Sequence, residues 1–142
     1  GGVDPFGPPG VSRGACASDF DNDGDLDLFV THLNDRPSLY RNDTVTGNWL
    51  GVRLIGRRSN RDGAGARLEA YAGGRRQVRQ VLRGSSFLGS QDPRIHFGLG
   101  PVTVVDSLVI HWPGGGAQTL AGLQVNGYVD VYEPGDGPGA SP

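Results

Sequence analysis

The stretch Asp19-Phe20-Asp21-Asn22-Asp23-Gly24-Asp25-Leu26-Asp27 places five carboxylates on alternate positions of nine residues. Each like charge disfavours ionisation of the next, so the loop is repulsive unless something positive sits in it. A hard divalent ion takes six to eight oxygens at about 2.3–2.6 Å, and a loop supplies them from positions 1, 3 and 5, a backbone carbonyl at 7 and one further carboxylate. Those positions are Asp19, Asp21, Asp23, the carbonyl of Asp25, and Asp27. Gly24 stands at position 6, where the chain must turn sharply and positive φ is favoured. The competing reading is a solvated acidic turn that holds no ion.

An EF-hand needs a bidentate Glu at position 12 and a helix on each side. Position 12 is Val30, and Leu26-Asp27-Leu28-Phe29-Val30-Thr31 is a β-branched and aromatic run that reads as a strand. With its last carboxylate at position 9, D-x-D-x-D-G-x-x-D resembles the calcium loop of FG-GAP/VCBS-type repeats, and Ala17-Ser18 before it and Leu28-Phe29-Val30 after it fit the same pattern. The resemblance implies Ca2+ as the ion. One such repeat is too short for a propeller, which needs about four blades of four strands.

The 142 residues suit one domain or one domain with a short appendage. The chain lacks Met and opens Gly1-Gly2-Val3, which reads as a mature or trimmed product. No apolar run approaches the roughly 20 residues of a membrane span. Cys16 is the single cysteine and cannot form an internal disulfide. Loops rich in Asp are most useful where calcium is abundant, so we expect an extracellular, secreted or cell-surface protein.

All 13 basic residues are Arg, and charge is segregated: residues 1–47 carry −5, residues 48–100 carry +7 and residues 101–142 carry −4. A basic centre of this kind would attract nucleic acid. Arg-bearing strands pairing with acidic neighbours across a sheet, or between copies, account for the pattern better, and no nucleic-acid partner is expected.

Residues 1–14 are rich in Gly and Pro and read as an arm without a core; the tail over 134–142 repeats that character. Residues 15–46 read as a calcium-bearing β-hairpin, with a turn at Asn34-Asp35-Arg36-Pro37 and a second strand over Ser38–Asn42. Over 47–133, strand-like segments lie at residues 49–55, 67–71, 75–82, 95–99, 104–112, 117–120 and 128–132, with Gly73-Gly74 as a two-residue hairpin turn. Seven short strands without a helix predict an all-β fold, a β-sandwich preceded by the hairpin.

The second part is also similar to a known family. Asn48-Trp49-Leu50-Gly51-Val52-Arg53-Leu54, Ser59-Asn60-Arg61-Asp62-Gly63-Ala64-Gly65-Ala66, Gly84-Ser85-Ser86-Phe87-Leu88-Gly89-Ser90-Gln91, His96-Phe97-Gly98-Leu99-Gly100 and Val109-Ile110-His111-Trp112-Pro113 resemble the UnbV/ASPIC domain. That family follows FG-GAP/VCBS repeats in exported proteins, and membership implies an architecture without an agreed activity.

No enzyme is expected. Gly84-Ser85-Ser86-Phe87-Leu88-Gly89 is not a nucleophile elbow. His32, His96 and His111 lack metal-ligand spacing and read as structural. Gly63-Ala64-Gly65-Ala66 has no helix to receive a phosphate. Asn42-Asp43-Thr44 matches the glycosylation triplet. The expected function is that of a calcium-binding structural or adhesive module. Terminal arms and segregated charge would suit a homo-oligomer, filament or tube. The alternative is a module that binds carbohydrate or matrix protein through Trp49, Trp112 or the Arg-rich strands.

Overall fold

The computed structural model describes residues 11–44, 47–82 and 92–135. They fall into two compact units, 11–44 on the one hand and 47–82 with 92–135 on the other. Among the described residues every regular element is a strand.

The first unit is an antiparallel sheet in the order β1 (Ser12–Ser18), β2 (Asp27–His32), β3 (Ser38–Tyr40). Sequence reading found β2 and β3 but assigned residues 12–14 to an arm. The structure instead pairs β1 with β2 from Ser12↔His32 to Ser18↔Asp27. The run Ser12-Arg13-Gly14-Ala15-Cys16-Ala17-Ser18 contains only one large side chain, so strand propensity was silent there. The partner strand imposes the pairing. Consequently the aspartate loop is itself the connection of a hairpin, β1 to β2. The rest of the N-terminal arm, the segment 84–91 and the tail beyond residue 135 lie outside the described residues.

The second unit is a two-sheet β-sandwich of seven strands: β4 (Asn48–Ile55), β5 (Arg67–Ala72), β6 (Arg75–Gln80), β7 (Ile95–Gly100), β8 (Val104–His111), β9 (Ala117–Gln124) and β10 (Gly127–Tyr132). One sheet has the order β10-β4-β7 and the other β6-β5-β8-β9. All the neighbours are antiparallel except β10 and β4, which run parallel. The strands alternate as their sequences do. Leu50, Val52 and Leu54 of β4, Phe97 and Leu99 of β7 and Val131 of β10 face Leu68, Ala70 and Ala72 of β5 and Val105, Leu108 and Ile110 of β8 in one buried core. Gly73 and Gly74 turn β5 into β6 with φ of 56° and 72°, both left-handed as a tight hairpin requires.

Charge is settled within this unit largely as expected. Arg53 on β4 donates from Nε to Asp130 on the neighbouring β10 at 2.9 Å. Glu69 on β5 receives Arg67 and Arg76 at 2.7 and 2.9 Å, with His111 Nε2 at 3.3 Å. The guanidinium of Arg76, and then the Tyr71 hydroxyl, hold the Glu69 carboxyl down at about 2.

Glu133, just past β10, is 4 % exposed and is held in a different way. The backbone N–H groups of Arg57, Arg58 and Ser59 donate to its Oε2 at 2.7–2.8 Å, and Ser59 Oγ donates to Oε1 at 2.7 Å. Burial alone would push this carboxyl up, yet the Ser59 and Arg57–Arg58 donors outweigh it and hold the group at about 2. The end of β10 is thereby fastened to the loop between β4 and β5.

Candidate metal centre

β1 ends at Ser18 and β2 begins at Asp27, so the nine-residue aspartate stretch closes on itself at a paired position. The reversal uses two left-handed residues, Asn22 (φ 62°) and Gly24 (φ 98°), the latter at the position where sequence spacing required it. Asp19 and Asp27, at the two ends of the loop, are each 2 % exposed.

Both buried carboxylates are oriented by main-chain donors. The N–H groups of Asp23 and Gly24 donate to Asp19 Oδ1 and Oδ2 at 3.1 and 3.0 Å. Those of Phe20 and Asn42 donate to Asp27 Oδ2 and Oδ1 at 2.9 and 2.8 Å. Asp27 therefore ties the start of the loop to the residues after β3. The N–H of Asp25 donates to Asp23 Oδ1 at 2.9 Å.

One oxygen each from Asp19, Asp21 and Asp27 lies within 4.8 Å of the others. Two ligands on a common ion at about 2.3–2.6 Å can stand no more than roughly 5 Å apart, so these three oxygens are close enough together to share a single ion. Asp23 falls in a second group with Asp21 and Asp43. The Asp25 side chain belongs to neither group; only its carbonyl was expected to contribute. Asp43 was missed because it follows β3 and has no fixed spacing to the loop. Pairing of β2 with β3 brings it near, and Arg41 bridges it to Asp21, its Nε 3.4 Å from Asp21 Oδ2. Among the described residues no histidine or cysteine joins either group, so the donors are hard oxygens, as calcium or magnesium prefers.

The three histidines take structural positions. His32 Nε2 lies 3.0 Å from Ser38 Oγ, His96 stacks on Trp49, and His111 faces Glu69. The two tryptophans part company. Trp112 is 5 % exposed in the core and donates from Nε1 to Gln118 at 3.1 Å, whereas Trp49 is half-buried, next to His96 and Tyr128. No helix among the described residues is long and apolar enough to cross a membrane.

Comparison with known proteins places this architecture. A family model described as ASPIC and UnbV matches residues 56–138. Cartilage acidic protein 1 of Mus musculus and of Homo sapiens are each 32% identical to the chain over 94% of its length, and that of Xenopus tropicalis is 31% identical over 89%. The chain spans about a fifth of the length of these relatives, 20–21%. The family match covers more than half of the chain and takes in six of the seven sandwich strands, and on that ground the chain belongs to the ASPIC and UnbV family.

Proposed function

We propose that this chain is a calcium-binding extracellular module whose role is structural or adhesive rather than catalytic, with an FG-GAP/VCBS-type loop as its metal centre. The observation that carries the reading is the convergence of Asp19, Asp21 and Asp27 oxygens within 4.8 Å, two of them from carboxylates only 2 % exposed. A bound cation would offset the repulsion among those carboxylates and hold the β1–β2 connection in one shape. Asp19, Asp21 and Asp27 would be its side-chain ligands, with Asp23 and the Asp25 carbonyl completing the set. Extracellular calcium sites bind at about 10⁻⁴–10⁻³ M, which suits a compartment rich in the ion. Likeness to proteins named for cartilage supports the same location.

Isothermal titration with CaCl2, alongside thermal melts in calcium and in EGTA, tests the reading. At 10 mM calcium such affinities stabilise the bound state by roughly 1.4–2.7 kcal/mol. Melting curves that superimpose with and without EGTA, together with no heat of binding, would overturn it.

One observation favours self-association as an added property. Across Cys16↔Phe29↔Leu39, β1, β2 and β3 present one row of side chains, and Phe20, Phe29 and Leu39 are 70, 39 and 48 % exposed. No apolar side chain of 11–44 is among the buried ones. Such a face suits a second copy of the chain. Light scattering and electron microscopy in calcium decide it: a Phe29→Glu variant that assembles as well as the parent excludes this face.

A further inference from the structure

The sheet β10-β4-β7 has a second face, turned away from the core, which no part of the reading above uses. Leu50, Val52 and Leu54 point inward, so Trp49, Gly51, Arg53 and Ile55 point outward. Strand pairing sets His96 and Gly98 of β7 on one side of them and Tyr128, Asp130 and Tyr132 of β10 on the other.

The rings on this face are held in fixed positions. Trp49 lies nearly parallel to His96, with ring centres 5.8 Å apart and planes at 18°, and meets Tyr128 edge-on at 5.0 Å. A Cβ on Gly51 would fall 2.1 Å from the Tyr128 ring, so that ring rests directly on the β4 backbone. Arg94 caps it at 4.4 Å and is itself held by Asp92, Nε to Oδ2 at 2.8 Å. Asn126 fixes the main chain of Trp49 from both directions: its N–H donates to the Trp49 carbonyl at 2.6 Å, and its Oδ1 accepts from the Trp49 N–H at 3.1 Å.

Beside Trp49 the described residues leave one position open. Gly98 is its cross-strand partner and is exposed, and nothing lies within 4 Å of where a side chain would begin. Further along β10 stands Tyr132, 52 % exposed, with Arg57 over its ring at 5.8 Å. Four residues of strand separate Tyr128 from Tyr132, about 13 Å. The Arg53–Asp130 pair lies between them.

We infer that this face binds a neutral glycan, with the Trp49 ring as the platform for the apolar face of a pyranose and the Arg53–Asp130 and Arg94–Asp92 pairs as hydroxyl partners. A sugar ring has an apolar face of C–H groups and a rim of hydroxyls that both donate and accept. An aromatic surface supplies the first complement at low entropic cost, because the rings are already fixed. Each Arg–Asp pair supplies a donor and an acceptor side by side with no net charge, which does not select for an acidic polymer. A protein partner would instead call for apolar pockets, and among the outward residues of β4 only Ile55 is aliphatic. The spacing of Tyr132 from Trp49 and Tyr128 accommodates more than one sugar unit. The inference is independent of the calcium reading, since it concerns residues of the other unit.

Trp49 and Trp112 are the two tryptophans, and only Trp49 is accessible enough for its emission to report a bound sugar. The test titrates the full chain with cellohexaose, mannohexaose and chitohexaose, and with a hyaluronan octasaccharide as the acidic arm. At least one neutral hexasaccharide should change the emission saturably. Trp49→Ala should weaken that binding at least tenfold in a calorimetric titration. Gly98→Val fills the open position with a β-former and leaves the Trp49 ring intact; it should abolish binding with the melting temperature unchanged. Three results would overturn the inference: no response to any neutral probe, binding to hyaluronan alone, or undiminished binding by Gly98→Val.

Discussion

The two units of this chain bury different kinds of side chain. Among its described residues the sandwich buries fifteen apolar side chains and two acids, Glu69 and Glu133, which are met by its own guanidinium and amide groups. The β1–β3 unit buries no apolar side chain among its described residues, yet it buries Asp19 and Asp27. In the first case hydrophobic burial does the folding and polar groups are accommodated. In the second, the buried side chains are two carboxylates held by main-chain N–H donors, and on the proposed reading a bound cation completes their neutralisation. Secondary structure alone would not reveal this, because every regular element described in both units is a strand.

The contrast breaks first at the core. Phe97→Ala should cost about 3–5 kcal/mol in the sandwich, read by denaturant titration, while leaving calcium binding unaffected. An equal loss of calcium affinity would mean the units are not separable. Next comes Asp27→Ala, which removes the acceptor for the N–H groups of Phe20 and Asn42. We expect a loss of about 1–3 kcal/mol per stranded donor in the first unit, and no remaining difference between melts in calcium and in EGTA.

Acid sharpens the comparison on the sandwich side. The ordinary carboxyl value is 4.5 and the folded values of Glu69 and Glu133 are about 2, so between these limits the unfolded chain binds more protons than the folded one. Their contribution is complete above pH 4.5 and is lost as pH falls toward 2. Denaturation midpoints followed from pH 6 to pH 2.5 should decline across that window, and Glu133→Gln should flatten the decline. The smallest effect belongs to Arg53→Gln. Its pairing with Asp130 is exposed to solvent, and the melting midpoint should stay within experimental error.

Where a segment alternated apolar and polar residues, its place could be read directly from sequence, and six of the seven sandwich strands were anticipated to within two residues at each end, whereas β9 runs four residues past the anticipated 117–120. The aspartate loop stood out for a different reason: five Asp around a Gly are crowded like charges, and their spacing already suggested that several would come together, as Asp19, Asp21 and Asp27 do. β1 escaped notice because its residues are small and gain strand geometry only from β2. Asp43 was invisible for want of any local spacing. The Glu133 clamp was equally hidden, since a single Glu seventy-four residues from Ser59 leaves no periodic trace. Trp49 and Trp112 looked alike in sequence, and only the register of β4 against β7 and β10 shows that one is interior and the other outward.

The parallel pairing of β10 with β4 carries a consequence for synthesis. Leu50–Ile55 emerges from the ribosome first among the sandwich strands, yet its neighbour Gly127–Tyr132 emerges last. Until then one border of β4 offers bare amides and carbonyls to any passing strand. A nascent chain stalled short of residue 127 would thus expose an adhesive seam, and the module can close only once nearly all of it has been translated.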